Sequence, residues 1–219
     1  MTLLILFDVD GTLLLSHDEV YAEANRAALL EVYGQAPDAP DVPGETAGEL
    51  TRSTLRAAGL TDEEIDDGLE RWCTMFSRRY VALLAQSDTS AWRVAPGATD
   101  ALSRIDRHAL MTGNPEPVAR ARMERIGLAE FFPEGEGAFG CEREHRVELY
   151  ELALARAGDW PAARSVAVGD TPRDIATARR AGGRCVAVTT GSYDADALAA
   201  ADRVIATLAD LPDVLASLD

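Results

Sequence analysis

The hydrophobic pattern changes character along the chain. A run of five apolar residues near the N-terminus, Leu3 to Phe7, has the length and continuity of a buried strand and is closed by "DVDGT". From about residue 17 to 87 the apolar positions instead recur at helical spacing. Val20, Ala24, Ala27 and Leu30 to Val32 predict one amphipathic face, and the loop "GQAPDAPDVPGETAG" ends that helix. Two further helices are predicted: "ELTRSTLRAAGL", closed by Gly59, and "TDEEIDDGLERWCTMFSRRYVALLAQ", where Thr61 and Glu64 have the spacing of a capping box. Trp72, Met75, Phe76, Tyr80, Leu83 and Leu84 form an apolar stripe on the last of these, and such a stripe reads as packing.

From residue 92 short apolar runs alternate with helices. "HALMT", "GAFG", "SVAVGD", "RCVAVTT" and "RVIA" read as strands, separated by helical segments such as "PEPVARARMERIGL", "RVELYELALARAG" and "TPRDIATARRAGG". Continuous apolar strands alternating with helices imply a parallel sheet covered on both faces. The expected fold class is α/β: a Rossmann-like parallel sheet core formed by residues 1–15 and 89–219, with an α-helical cap, residues 16–88, inserted after the first strand.

Composition narrows the partners. An apolar content of 47% and a charged content of 26% are ordinary for a soluble globular chain of 219 residues. The net charge of -16 is not, and it disfavours nucleic acid and anionic membrane as partners. Any anionic substrate therefore needs local positive charge. All 21 cationic Lys or Arg positions are arginine, so no mechanism that needs a lysine applies. Cys73, Cys141 and Cys185 are far apart and lack metal-ligand spacing, so neither a disulfide framework nor structural zinc is expected. The opening apolar run is short and interrupted by Asp8, unlike a signal peptide or membrane span, and a cytoplasmic location is expected. Monomer and homodimer both stay open.

In open parallel sheets ligands bind outside the carboxyl ends of the strands. This sequence places Asp8 and Asp10 at the end of the first strand, Thr112, Gly113 and Asn114 after "HALMT", and Asp170 and Asp174 after "SVAVG". Carboxylates crowded together repel and raise one another's pKa unless a cation sits among them. Oxygen-only ligation suits Mg²⁺, which also binds substrate phosphate. Asp8 beside such an ion can attack phosphorus, while Asp10 protonates the leaving oxygen and then activates water. Gly11 permits a sharp turn that brings backbone amides to the phosphoryl oxygens. Thr112, Gly113 and the helix beginning at Pro115 offer a hydroxyl and free amides to the same anion. Arg143 and Arg146, three apart and on one helix face, are the candidate fixed cations.

"FDVDGTLL", "MTGN", a basic residue opening a helix, and "VGDTPRDIATARRAG" occur in the order of the four motifs of the haloacid dehalogenase (HAD) superfamily. The chain resembles its phosphoglycolate-phosphatase-like branch, with a helical cap after the first motif. The resemblance implies Asp8 as nucleophile, Asp10 as acid/base and Thr112 as phosphate hydroxyl. It implies that Asp8, the Asp10 carbonyl and Asp170 hold Mg²⁺, with Asp174 orienting metal-bound water or ligating directly. The third motif usually carries lysine; here Arg146, just before "VELYELAL", is the expected replacement, with Arg143 as the alternative. The implied activity is Mg²⁺-dependent hydrolysis of a small phosphorylated metabolite through an aspartyl phosphate. A sugar phosphomutase of the β-phosphoglucomutase type uses the same acids, and a non-catalytic HAD-fold binding protein is the reading from another class. Carbon–halogen dehalogenases lack the acid at the Asp10 position, and the family's phosphonate hydrolases need a cap lysine. A phosphoacceptor receiver domain is shorter, lacks the insertion and also needs a lysine. The cap loop "PGETAGE", around Gly44 to Thr46, resembles the loop that faces the active site in this branch.

Overall fold

The apolar run near the N-terminus becomes the middle of a six-stranded sheet in the computed structural model, which describes residues 2–16, 18–40 and 42–218. Strand β1 (Leu4–Phe7) is buried along its whole length. It pairs in parallel with β4 (His108–Thr112) on one side and β6 (Ser165–Gly169) on the other. Beyond these lie β5 (Ala138–Phe139), β7 (Arg184–Val188) and β8 (Arg203–Ile205), giving the order β5-β4-β1-β6-β7-β8, parallel throughout. All six predicted strand runs are in this one sheet.

The two-residue period of a strand divides the core. Ile5 and Phe7 pack with α4 (Ala98–Arg104), α5 (Glu116–Arg125) and α8 (Leu211–Leu218), while Leu4 and Leu6 pack with α6 (Arg146–Arg156) and α7 (Pro172–Ala181). A strand covered on both faces cannot alternate apolar with polar, which is why Leu3 to Phe7 is a continuous apolar run. Truncating Phe7, fully buried, to alanine costs about 3–5 kcal/mol.

The helical insertion comprises α1 (Glu19–Tyr33), α2 (Ala47–Ala57) and α3 (Asp62–Leu84). Its own core holds Ala24, Ala28, Leu29, Leu55, Ile65, Trp72, Phe76, Tyr80 and Leu84. The Trp72 and Phe76 rings stack at 5.5 Å and Tyr21 meets Phe76 edge-on at 4.9 Å, so the α3 stripe packs as expected. The Thr61–Glu64 capping box is formed. The buried face of α1 differs from the expected one: Ala28 and Leu29 are buried, while Leu30 is 47% exposed. Ala24 and Ala28 lie on an i, i+4 ridge against α3, and that ridge decides the contact rather than an i+3 repeat through Ala27.

Two features were not foreseen. A two-residue ribbon pairs β2 (Leu14–Leu15) antiparallel to β3 (Arg93–Val94), joining the two passages of chain between sheet and insertion. Two-residue strands are too short to carry a period. A disulfide links Cys73 on α3 to Cys141, just after β5, with Cα atoms 6.4 Å apart, contrary to the expectation of unpaired thiols. The two cysteines are 68 residues apart, and only folding of the insertion onto the sheet edge brings them together. Cys185 on β7 is a buried thiol whose pKa burial pushes up. No helix among the described residues is long and apolar enough to cross a membrane.

Candidate active site

The strands end where their apolar runs give way to acids. β1 delivers Asp8 and β6 delivers Asp170, and the first turn of α7 delivers Asp174. All three are at least nine-tenths buried, and each offers an oxygen within 4.8 Å of the others. Asp8 Oδ1 accepts the Val9 amide at 2.8 Å and Oδ2 accepts Arg146 Nη2 at 3.2 Å. The same Nη2 donates to Asp174 Oδ1, and Arg146 Nη1 donates to the Gly44 carbonyl at 3.0 Å. Asp174 Oδ2 accepts the Thr171 amide at 3.0 Å and its hydroxyl at 2.7 Å, closing the capping box that starts α7. Asp170 Oδ1 accepts the Thr12 hydroxyl at 3.1 Å.

Glycines make the closeness possible at two places. Gly11 has φ of +72°, and a Cβ there would sit 2.3 Å from Asp170 Oδ2, so both backbone and space require glycine. A Cβ on Gly113 would sit 2.3 Å from the Glu45 carbonyl oxygen; the Gly113 carbonyl in turn accepts the Ala47 amide at 2.8 Å. The loop entering α2 is thereby laid directly on the sheet edge, with the buried Thr46 capping α2 and donating to the Glu144 carbonyl at 2.5 Å.

Crowding leaves its mark on the acids. Burial pushes Asp8 up to about 6, opposed by Arg146 and reinforced by Asp174 and Asp10. Burial, with the charges of Asp8 and Asp174, pushes Asp170 up to about 8. One guanidinium against three buried carboxylates is a deficit of positive charge, and an all-oxygen donor set in deficit fits a hard divalent cation. Among the described residues, Asp8, Asp170 and Asp174 are the side chains that could hold one.

Asp10 stands apart from that cluster. Its side chain is 48% exposed, and Oδ2 accepts Arg122 Nη1 at 2.6 Å and Asn114 Nδ2 at 2.7 Å. Asn114 also donates to Thr112 Oγ1, from its side chain at 3.0 Å and its backbone at 3.3 Å. With those two bonds accepted, the buried Thr112 hydroxyl keeps its own proton to give to an anion. Arg146 is buried in the cluster, whereas Arg143 is exposed and donates to the Glu142 carbonyl at 2.6 Å. Asp8, Asp10, Thr112, Gly113, Arg146 and Asp170 line one cavity of about 630 Å³ between sheet edge and insertion, and Gly44, Glu45, Tyr21 and Leu50 close its insertion side. Asp174 lies directly beneath, through its bond to Arg146.

Sequence reasoning missed Arg122, Asp18 and Tyr80, which meet beside Asp10. The signal was present in one case. Arg122 falls four after Val118 and three after Ala119, in phase with the buried face of α5, where an arginine is out of place unless paired.

An α/β sheet with buried acids and an arginine at its carboxyl edge, under a helical insertion, forms a site that could take an anion beside a divalent cation. The sequence model of the haloacid dehalogenase-like hydrolases matches residues 2–182, and the chain belongs to that family and is an enzyme. The phosphoglycolate phosphatase of Chromobacterium violaceum is 31% identical, over 96% of this chain and 95% of its own length. That of Synechococcus elongatus is 30% identical, over 98% and 97%. Among solved structures, CbbY from Rhodobacter sphaeroides in complex with phosphate is similar with a TM-score of 0.70 and 25% identity, over 96% of each chain. β-Phosphoglucomutase from Clostridium difficile has a TM-score of 0.69 at 15% identity, covering 100% of this chain and 97% of its own, a likeness of fold alone.

Proposed function

We propose that the protein is a Mg²⁺-dependent phosphatase that hydrolyses a small phosphomonoester through an aspartyl phosphate on Asp8. The observation that carries this reading is the buried Asp8 carboxylate, held between the Val9 amide and Arg146 at the floor of the shared cavity. Two hydrogen bonds orient it for attack on phosphorus. Arg146 and Thr112 bind the phosphoryl oxygens, the first as a fixed charge and the second through its uncommitted proton, with Gly113 allowing close backbone approach. Asp10 gives a proton to the leaving oxygen as its bond to phosphorus breaks, then takes one from the water that cleaves the acyl phosphate. Asp8, Asp170, Asp174 and the Asp10 carbonyl would hold Mg²⁺, which when bound would supply the charge neutralisation that lets an anionic nucleophile meet an anionic phosphate.

Residues 16–88 act in this reading as a cap over a core of residues 1–15 and 89–219, a division supported by the β2–β3 ribbon at the two crossings. Glu45 and Leu50 from the cap line the cavity with the core acids, which supports a substrate that fits between the two. The relatives named phosphoglycolate phosphatase favour a small carboxylated alkyl phosphate over a sugar phosphate as substrate. We place the reaction in the cytoplasm, where such metabolites turn over; the Cys73–Cys141 bridge, with Cys141 exposed, then stands open to cellular thiols. The test is a panel of alkyl and sugar phosphomonoesters with Mg²⁺, measured for wild type and Asp8→Asn. Release of phosphate by wild type and none by Asp8→Asn is expected; comparable turnover by the two overturns the mechanism.

A further inference from the structure

Arg122 is buried to 3% exposure on a helix of the core, yet each of its three nitrogens is committed. Nη1 donates to Asp10 Oδ2 at 2.6 Å and to Asn114 Oδ1 at 3.1 Å. Nε donates to Tyr80 Oη at 2.9 Å, and Nη2 donates to Asp18 Oδ2 at 2.6 Å. Tyr80 Oη completes the ring by donating to the same Asp18 oxygen at 2.6 Å. The guanidinium carbon lies 5.1 Å from the Tyr21 ring centroid and 5.3 Å from that of Tyr80, so aromatic faces cover it. A charge taken this far out of water persists only when its partners are fixed as firmly as it is.

We propose that Arg122 is a positioning residue: it aims the Asp10 carboxyl at the leaving oxygen and ties that aim to the seating of the helical insertion. The proposal rests on the reading of Asp10 as the proton shuttle. Asp10 is nearly half exposed, and a carboxylate so placed samples several rotamers unless something holds it. Arg122 and Asn114 both bind Oδ2, so they fix the carboxyl while leaving Oδ1 to the reacting groups. Arg122 is the one of the two anchors that also reaches the insertion, through Tyr80 on α3 and through Asp18, which caps α1. The planar guanidinium can serve both directions at once, where an ammonium would give a point charge without a fork.

A misaimed shuttle has a signature that general destabilisation lacks. kcat/KM covers the steps up to departure of the leaving group, and only a poor leaving group needs the shuttle's proton there. The experiment compares kcat/KM, with Mg²⁺, for the fastest alkyl phosphate of the panel and for p-nitrophenyl phosphate. Arg122→Met should lower the alkyl value at least about thirtyfold and the p-nitrophenyl value less than about threefold. Arg122→Lys should show the same bias more weakly. Tyr80→Phe removes one bond to the guanidinium and should give a bias of a fewfold; it decides the matter if Arg122→Met does not fold. Asp10→Asn is measured beside them. A biased loss in Asp10→Asn with equal losses on both substrates in the Arg122 and Tyr80 variants overturns the positioning role alone. An unbiased Asp10→Asn overturns the shuttle reading, and this proposal with it.

Discussion

Two buried arginines line one cavity, and they differ in how well they are satisfied. Arg122 spends all three nitrogens on four partners, with two carboxylates, a tyrosine hydroxyl and an amide around it. Arg146 faces three carboxylates, yet its Nε is buried without a hydrogen-bond partner among the described residues. The Arg146 cluster holds acids driven up to about 6 and about 8, a state of unrelieved like charge. A satisfied network holds things in place. An unsatisfied one is ready for ligands, which on the proposed reading are a divalent cation for the acids and a phosphate for the arginine.

The most severe break in that comparison is Arg146→Ala. On the proposed reading it removes a preorganised charge from the anion site, and kcat/KM should fall at least about a hundredfold. Arg143→Ala, from an exposed arginine whose partner is its neighbour's carbonyl, should stay within about threefold of wild type. Reversed results would move the phosphate cation to Arg143 and leave Arg146 as a structural partner of Asp174. Steady-state kinetics on the same phosphomonoester checks both.

Metal removal sharpens the contrast next. EDTA should abolish turnover and Mg²⁺ restore it, while Ca²⁺, with its looser coordination, should support little. Stability in the chelator carries a definite sign. Burial raises the folded pKa values of Asp8 and Asp170 above the ordinary aspartate value of 3.8, so between about pH 4 and pH 8 the folded protein binds more protons than the unfolded chain. Stability then decreases as pH rises through that window, because protons are lost from buried acids that cannot be hydrated. The melting temperature in EDTA should be lower at pH 8 than at pH 5.5, and Mg²⁺ should raise it more at the higher pH. A metal-free melting temperature that rises over this range contradicts the crowded-acid account.

The two clusters also differ in how far the sequence discloses them. Asp8, Asp10, Thr112 and Asp170 each follow a run of buried strand residues, and in a parallel sheet such positions share one edge whatever the loops do. Those strands are legible because burial on both faces leaves a continuous apolar signature. Arg122 has no such marker: within "PVARARMERI" it is one arginine of three, and only its phase relative to Val118 and Ala119 sets it apart. Its partners Asp18 and Tyr80 lie 104 and 42 residues away, so the network exists only once α3 is laid on α5. The buried face of α1 is set in the same way. Helical period alone is nearly indifferent between Ala27–Leu30 and Ala28–Leu29, and contact with α3 selects the latter.

The Cys73–Cys141 bridge joins the two sides covalently, since Cys73 shares α3 with Tyr80 and Cys141 lies on the segment leading to Arg146. If the clusters are held by their own contacts, cutting the bridge should matter to stability and little to chemistry. Arg146 is tied to the insertion loop at Gly44, Gly113 is tied to Ala47, and Arg122 is tied to Tyr80, all without the disulfide. Closing a loop of 68 residues restricts the unfolded chain by about 4 kcal/mol on the entropic model, a ceiling for what the bridge contributes. Cys73→Ser, or wild type in dithiothreitol, should therefore melt roughly 5–15 °C lower, at about 2–4 °C per kcal/mol for a chain of this size. kcat/KM at a temperature well below melting should change by less than about threefold. A large loss of turnover with an unchanged melting temperature would mean that the bridge, and not the paired arginines, seats the insertion over Asp8.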